Sequence, residues 1–123
     1  MDYLHKFNQL FCDMVGELVT VFPSDPELRL YKFAVDTTIT SDAYYVSRFF
    51  NEYVAIPYGD KIKAKDETFF VEKDYQEYAY GDQNTMDVFK KLKTCWTDLN
   101  DDNRAAIWKY LTVMLNLNHK IYQ

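Results

Sequence analysis

The chain has little of what most catalytic folds are built from, with three glycines, three prolines, two cysteines and two histidines in 123 residues. Gly16, Gly59 and Gly81 are too few and too scattered for a loop whose backbone N–H groups cradle a phosphate, which excludes P-loop, kinase and Rossmann chemistry. Ser24, Ser41 and Ser47 fall at expected helix caps or within a helix, and no GxSxG elbow occurs, so no activated serine is expected. Cys12 and Cys95 sit in apolar helical patterns without a CxxC or a neighbouring histidine. Both are read as buried thiols, and neither a disulfide framework nor a zinc centre is expected.

His5 and His119 stand near opposite ends of the chain and would meet only if the terminal helices pair antiparallel; two ligands do not make a zinc site. A calcium loop starting at Asp60 fails, because Ile62, Ala64 and Val71 occupy positions that need oxygen ligands. "NDDN" at 100–103 is read as a helix cap. No apolar run approaches the ~18 residues of a membrane span and no charged-then-apolar leader opens the sequence, so a cytoplasmic or nuclear protein is expected.

Basic residues are also scarce, 14 against 19 acidic ones, for a net charge of -5. That balance argues against nonspecific nucleic-acid binding, which requires several phosphates to be neutralised by Lys and Arg. The charge is uneven: residues 1–30 carry Lys6 and Arg29 against five acids, while residues 90–123 carry six bases against three aspartates. The two regions are expected to attract each other or to present faces of opposite sign.

What is abundant is aromatic: 11 tyrosines, 9 phenylalanines and 2 tryptophans, with 48% hydrophobic residues overall. Such a chain buries enough surface to offset its ordering entropy, and its length suits a single core. Leu4, Phe7, Phe11, Met14, Leu18 and Val21 recur at spacings of three and four, the stripe of an amphipathic helix, with Leu10, Val15 and Phe22 widening it. "FPSDPEL" then stops that helix at Pro23 and starts the next with Asp25 as N-cap and Pro26 at the first helical position.

The second helix places Leu28, Tyr31, Val35 and Ile39 on one face with Leu30, Phe33 and Ala34 beside them. Ser41 or Asp42 caps a third, spanning about 42–56, whose Tyr45, Val46, Phe49, Phe50, Tyr53 and Val54 form a wide apolar face; Pro57 is expected to close it. "DQNTMDVFKKLKTCWTDL" gives another stripe through Met86, Phe89, Leu92, Trp96 and Leu99, with Lys90, Lys91 and Lys93 nearer the solvent. Asn100 caps a final helix carrying Ile107, Trp108, Leu111, Met114 or Leu115, and Ile121. The expectation is an all-α, compact single-domain bundle of about five main helices, with one or two short helices in an irregular central connection of about 57–82.

That connection, "AIPYGDKIKAKDETFFVEKDYQEYAYGD", reads as a Pro-Tyr-Gly turn, a short basic helical turn, and an Asp66-capped segment whose Phe69 and Phe70 seek a core. Asp74, Tyr75, Glu77, Tyr78 and Tyr80 follow as a tyrosine-and-acid strip. Tyrosine suits half-buried rims and interfaces alike, so Phe69, Phe70 and this strip are the candidate partner-binding residues. Lys90, Lys91 and Lys93 beside Trp96 have the types used for phosphate contact and base stacking and form the alternative site. Asp66, Glu67, Glu72, Asp74 and Glu77 lie among aromatics that raise a carboxyl pKa on burial, which makes a carboxylate enzyme a third reading.

"FPSDPELRLYKF", "VAIPYGDKIKAKDETFF" and "CWTDLNDDNRAAIWKYLTVMLNL" together resemble a family of small uncharacterised proteins encoded by large nucleocytoplasmic DNA viruses of algae and amoebae. The shared elements are the FP punctuation, the central KDE followed by two aromatics, and a tryptophan followed by Ile-Trp-x-Tyr-Leu. The resemblance implies an all-α protein made in the infected host cell, in cytoplasm or nucleus, or packaged in the virion; it brings no catalytic residues. The expected function is a non-enzymatic protein–protein interaction protein, a structural or accessory component of virion or virus factory. Its expected partners are viral structural proteins or further copies of itself, with no cofactor, metal or small-molecule ligand. An accessory factor in viral transcription or replication, acting through helix 85–98, is the alternative.

Overall fold

In the computed structural model, residues 2–68 and 83–122 are described, and all the regular structure among them is helical. Helix α1 (Tyr3–Val21) starts where the Asp2 carboxylate accepts the His5 N–H at 2.9 Å. It ends at "FPSD", and α2 (Pro26–Ser41) begins as expected: the Asp25 side chain accepts the Glu27 N–H at 3.0 Å and Pro26 takes the first turn, where its missing N–H leaves no bond unmade. Asp42 then closes an Asx turn by accepting the Tyr44 N–H at 3.0 Å, which turns the chain into α3 (Tyr45–Phe50).

Pro57 does not close this helix. A π-helical segment, Asn51–Ala55, follows α3 directly and leads into α4 (Ile56–Lys63), so 45–63 is one continuous helical rod with Pro57 in the first turn of its last part. The Ile56 N–H reaches back five residues to the Asn51 carbonyl. Proline has no N–H to give and its ring collides with the carbonyl four residues earlier, and the wider π turn accommodates both defects. The expected Pro-Tyr-Gly turn is therefore helix. The chain turns instead at Lys65, whose φ of 52° is left-handed. There the Lys65 N–H donates to Ile62 O at 3.1 Å and the Asp66 N–H to Lys61 O at 2.9 Å, a Schellman closure with lysine where glycine is usual.

Helix α5 (Gln83–Cys95) passes through a 3₁₀ turn, Trp96–Asp98, to α6 (Asp101–Tyr122), capped by the Asn100 side chain accepting the Asn103 N–H at 2.8 Å. Arg104 locks this corner by donating to Trp96 O at 3.0 Å and Thr97 O at 3.2 Å while its guanidinium covers the Trp96 ring.

Helix α1 is the centre of the bundle, flanked by α2 and α6, and both neighbours run antiparallel to it. Asn8 reaches Ala43 and Cys12 reaches Asp36 on one side, and Lys120 lies over the Tyr3 ring on the other. The middle of the α1 stripe is fully inside, with Phe7, Phe11, Met14, Val15 and Leu18 at most 1% exposed, while Leu4, Leu10, Val21 and Phe22 are half-buried. Phe7 meets Phe50 edge-on at 5.3 Å, and Phe89 of α5 receives both Phe11 and Phe49 at 6.1 and 6.2 Å. Leu111, Met114 and Leu115 of α6 complete the core.

Candidate functional site

Helix α2 is held by both of its inner edges. Leu28 and Val35, two turns apart, are completely buried. At its N-terminus the Lys91 ammonium of α5 lies 2.7 Å from Asp25 and 3.8 Å from Glu27. That contact joins the acid-rich first thirty residues to the base-rich last part of the chain, as their charge asymmetry leads one to expect. It also holds the Asp25 carboxyl below its usual range, with the cap bond from Glu27 adding to the effect.

With those edges fixed, the helical period decides what faces outward. Leu30 and Phe33 are 62% and 71% exposed, although a place beside the buried face was expected for both. At 100° per residue Leu30 and Phe33 lie about 160° and 140° from Leu28, on the opposite side of the cylinder. Pro26 and Thr37 continue the same outward line and are also exposed. The spacing 26, 30, 33, 37 was visible in the sequence; it was obscured because apolar residues on both sides of a helix suggest one broad buried face.

A shallow concavity of about 550 Å³ at the α1–α2 turn is lined by Phe22, Pro23, Ser24 and Pro26, and smaller clefts run between helices. One of about 270 Å³ lies between α1 and the end of α2 and includes His5, Asn8 and Cys12. The pairing of cysteine and histidine does not make a nucleophile here. The Cys12 thiol donates to Asp36 at 3.2 Å, and burial, reinforced by that carboxylate, pushes its pKa up to about 12. Thiol chemistry requires the thiolate. Cys12 is half-buried at the α1–α2 seam, a correction to its expected full burial, whereas Cys95 is buried and is likewise pushed up, to about 11. A second cleft, of about 250 Å³, is lined by Leu10, Ala106, Lys109, Tyr110 and Val113. Among the described residues no group of three His, Cys, Asp or Glu side chains can hold a metal ion, and no helix is long and apolar enough to cross a membrane.

The basic helix is only partly available for phosphate. Lys91 belongs to the ion pair with Asp25 and its side chain is 18% exposed, a correction to its expected place near the solvent. Trp96 is 3% exposed and packs edge-on against Trp108 at 5.5 Å, so its ring cannot stack on a base. Lys90 is half-buried and Lys93 exposed.

Of the acidic cluster, Asp66 accepts the Thr68 N–H and hydroxyl at 3.0 and 2.7 Å, which lowers its pKa instead of raising it. This carboxylate is a capping group, as expected, and is not tuned as a general acid. Phe69, Phe70, Asp74, Tyr75, Glu77, Tyr78 and Tyr80 lie outside the described residues, as does Glu72.

The end of the bundle where α3 meets α6 carries a buried polar cluster with no local sequence signature. Ser47 and Asn118 are completely buried; the Ser47 hydroxyl is 2.7 Å from the Tyr122 hydroxyl and the Asn118 amide donates to Ser47 O at 3.3 Å. The Asn118 side-chain oxygen has no partner. It positions helices and opens on none of the clefts described above.

Comparison with known proteins adds no assignment: no family model, no curated protein and no solved structure matches the chain.

Proposed function

We propose that the chain is a non-enzymatic helical interaction protein whose contact surface is the outward face of α2. The observation that carries this reading is the pair Leu30 and Phe33, two large apolar side chains one turn apart, exposed by 62% and 71% on a helix whose inner edge is firmly held. Single exposed hydrophobics are ordinary, but an aligned pair on a rigid helix is the arrangement by which an apolar anchor enters a partner's groove. The protonated state of Cys12 and the lowered pKa of Asp66 support the non-enzymatic half of the reading. The strip Asp74, Tyr75, Glu77, Tyr78 and Tyr80, with Phe69 and Phe70 before it, is a second contact surface on the same reading, carried by composition alone. The setting, a virion or virus factory of a large DNA virus, is carried by the resemblance of the three sequence segments.

The test compares the wild-type chain with the L30E/F33E variant as bait in host and infected-cell extracts, after circular dichroism has shown equal helicity. Loss of specific partners from the variant supports the reading. An unchanged set of partners refutes it. The basic-helix alternative loses Lys91 and Trp96 to contacts within the bundle, and retardation of single-stranded DNA that weakens with salt would favour it.

A further inference from the structure

We infer that the partner on this face is a second copy of the chain, with the two α2 helices packed antiparallel about a twofold axis; the inference rests on the reading of α2 as the contact surface and names its occupant. Pro26, Leu30, Phe33 and Thr37 follow one another at intervals of four, three and four residues, the alternation that forms the seam of a coiled coil. All four are exposed, so the seam is present and uncovered.

The charges beside the seam choose the orientation. On one flank lie Arg29 and Asp36, one heptad apart and both exposed. When two α2 helices run antiparallel, Leu30 of one copy sits across from Phe33 of the other, twice. In that register the flanking positions bring Arg29 opposite the partner's Asp36 and Asp36 opposite the partner's Arg29. A parallel pair sets Arg29 against Ala34 and Asp36 against Ser41, which offers no charge complement. The face is therefore complementary to itself only under the antiparallel twofold operation that closes a dimer.

Both side chains are exposed, although Asp36 already accepts from Lys32 and from the Cys12 thiol and would share its carboxylate across the interface. Among the described residues Arg29 forms no ion pair, and Asp36, although its carboxylate holds Lys32 at 2.7 Å, keeps 48% of its side chain in solvent. A surface made for a basic or an acidic partner would carry one sign along this flank; this one alternates. The helix has 16 residues and, at 1.5 Å each, runs about 24 Å, so one helix pair covers less than the ~1,600 Å² of a standard interface. The dimer is accordingly weak and concentration-dependent, with its specificity set by the two crossed ion pairs.

Sedimentation of charge-reversal variants tests this directly. R29D alone and D36R alone place like charges at both crossed contacts and are expected to be monomeric up to about 1 mM, where the wild-type chain dimerises. Mixed in equal amounts they restore both crossed pairs and are expected to form a heterodimer. D36K replaces D36R if circular dichroism shows that D36R has lost helicity, since Asp36 also contacts Lys32 and Cys12. A wild-type chain that stays monomeric at about 1 mM overturns the self-association while leaving the extract experiment with L30E/F33E to decide the broader reading. A dimer that survives R29D unchanged, or a mixture of the two variants that remains monomeric, also overturns it, and a dimer indifferent to L30E/F33E overturns both.

Discussion

Phe11 and Phe33 both belong to amphipathic helices but lie on opposite sides of the protein surface, and truncating each to alanine should separate them sharply. Phe11 is completely buried and meets Phe89 at 6.1 Å, so Phe11→Ala opens a cavity between α1 and α5. Such a change costs about 3–5 kcal/mol, or roughly 10–20 °C in Tm for a domain of this size. Phe33 is 71% exposed. Less than a third of its ~200 Å² is covered, about 60 Å², which at ~25 cal/mol/Å² contributes about 1.5 kcal/mol. Alanine's better helix propensity returns about 0.5 kcal/mol, leaving a loss of about 1 kcal/mol. Chemical denaturation at low micromolar protein, where α2 is unpaired, reads both values. Equal losses at the two positions would refute the inside–outside assignment of α2.

Asn118→Leu should leave stability unchanged or raise it by about 1 kcal/mol, because its only bond is the long one to Ser47 O and its side-chain oxygen is buried without a partner. Ser47 O still accepts the Asn51 N–H, so a loss beyond about 1.5 kcal/mol by urea unfolding would contradict this. Lys65→Gly should stabilise the fold by about 1 kcal/mol, since the φ of 52° is strained for lysine and not for glycine; a destabilised variant would count against the Schellman closure. An unfolded thiol ionises near 9.0 while native Cys12 keeps its proton to about 12, so its contribution to stability is present below pH 9 and lost as pH rises through that window. At pH 8 the native thiolate population is roughly a thousandfold below the unfolded one, and a thiol-specific reagent should label Cys12 correspondingly slowly until the chain is unfolded. Fast native labelling would reject the Asp36 contact.

Local signals were the legible part of the fold. The α1 stripe, the Asp25 cap with Pro26 behind it, and the Asn100 cap are each encoded within a few residues, and each forms as its local chemistry dictates. Pro57 misled because a proline's effect depends on what the preceding turn does, and five residues of π helix absorb it. Lys91 and Trp96 looked like a phosphate-and-stacking pair along one helix, but Asp25 and Trp108, which claim them, are 66 and 12 residues away in sequence. The exposure of Leu30 and Phe33 follows from which edges of α2 are already occupied by α1 and α5, information that a helical wheel of α2 alone does not contain. The Ser47–Asn118 contact joins residues 71 apart and has no local signature.

On the proposal made above, the uncovered face of α2 is a contact surface that a second copy fills. The weight-average mass of the wild-type chain in sedimentation equilibrium, followed against concentration beside F33E, tests it most directly. The mass is expected to climb from 14.7 kDa toward twice that value for the wild type and to stay at 14.7 kDa for F33E. Masses that remain monomeric for both, or that rise equally for both, would contradict it.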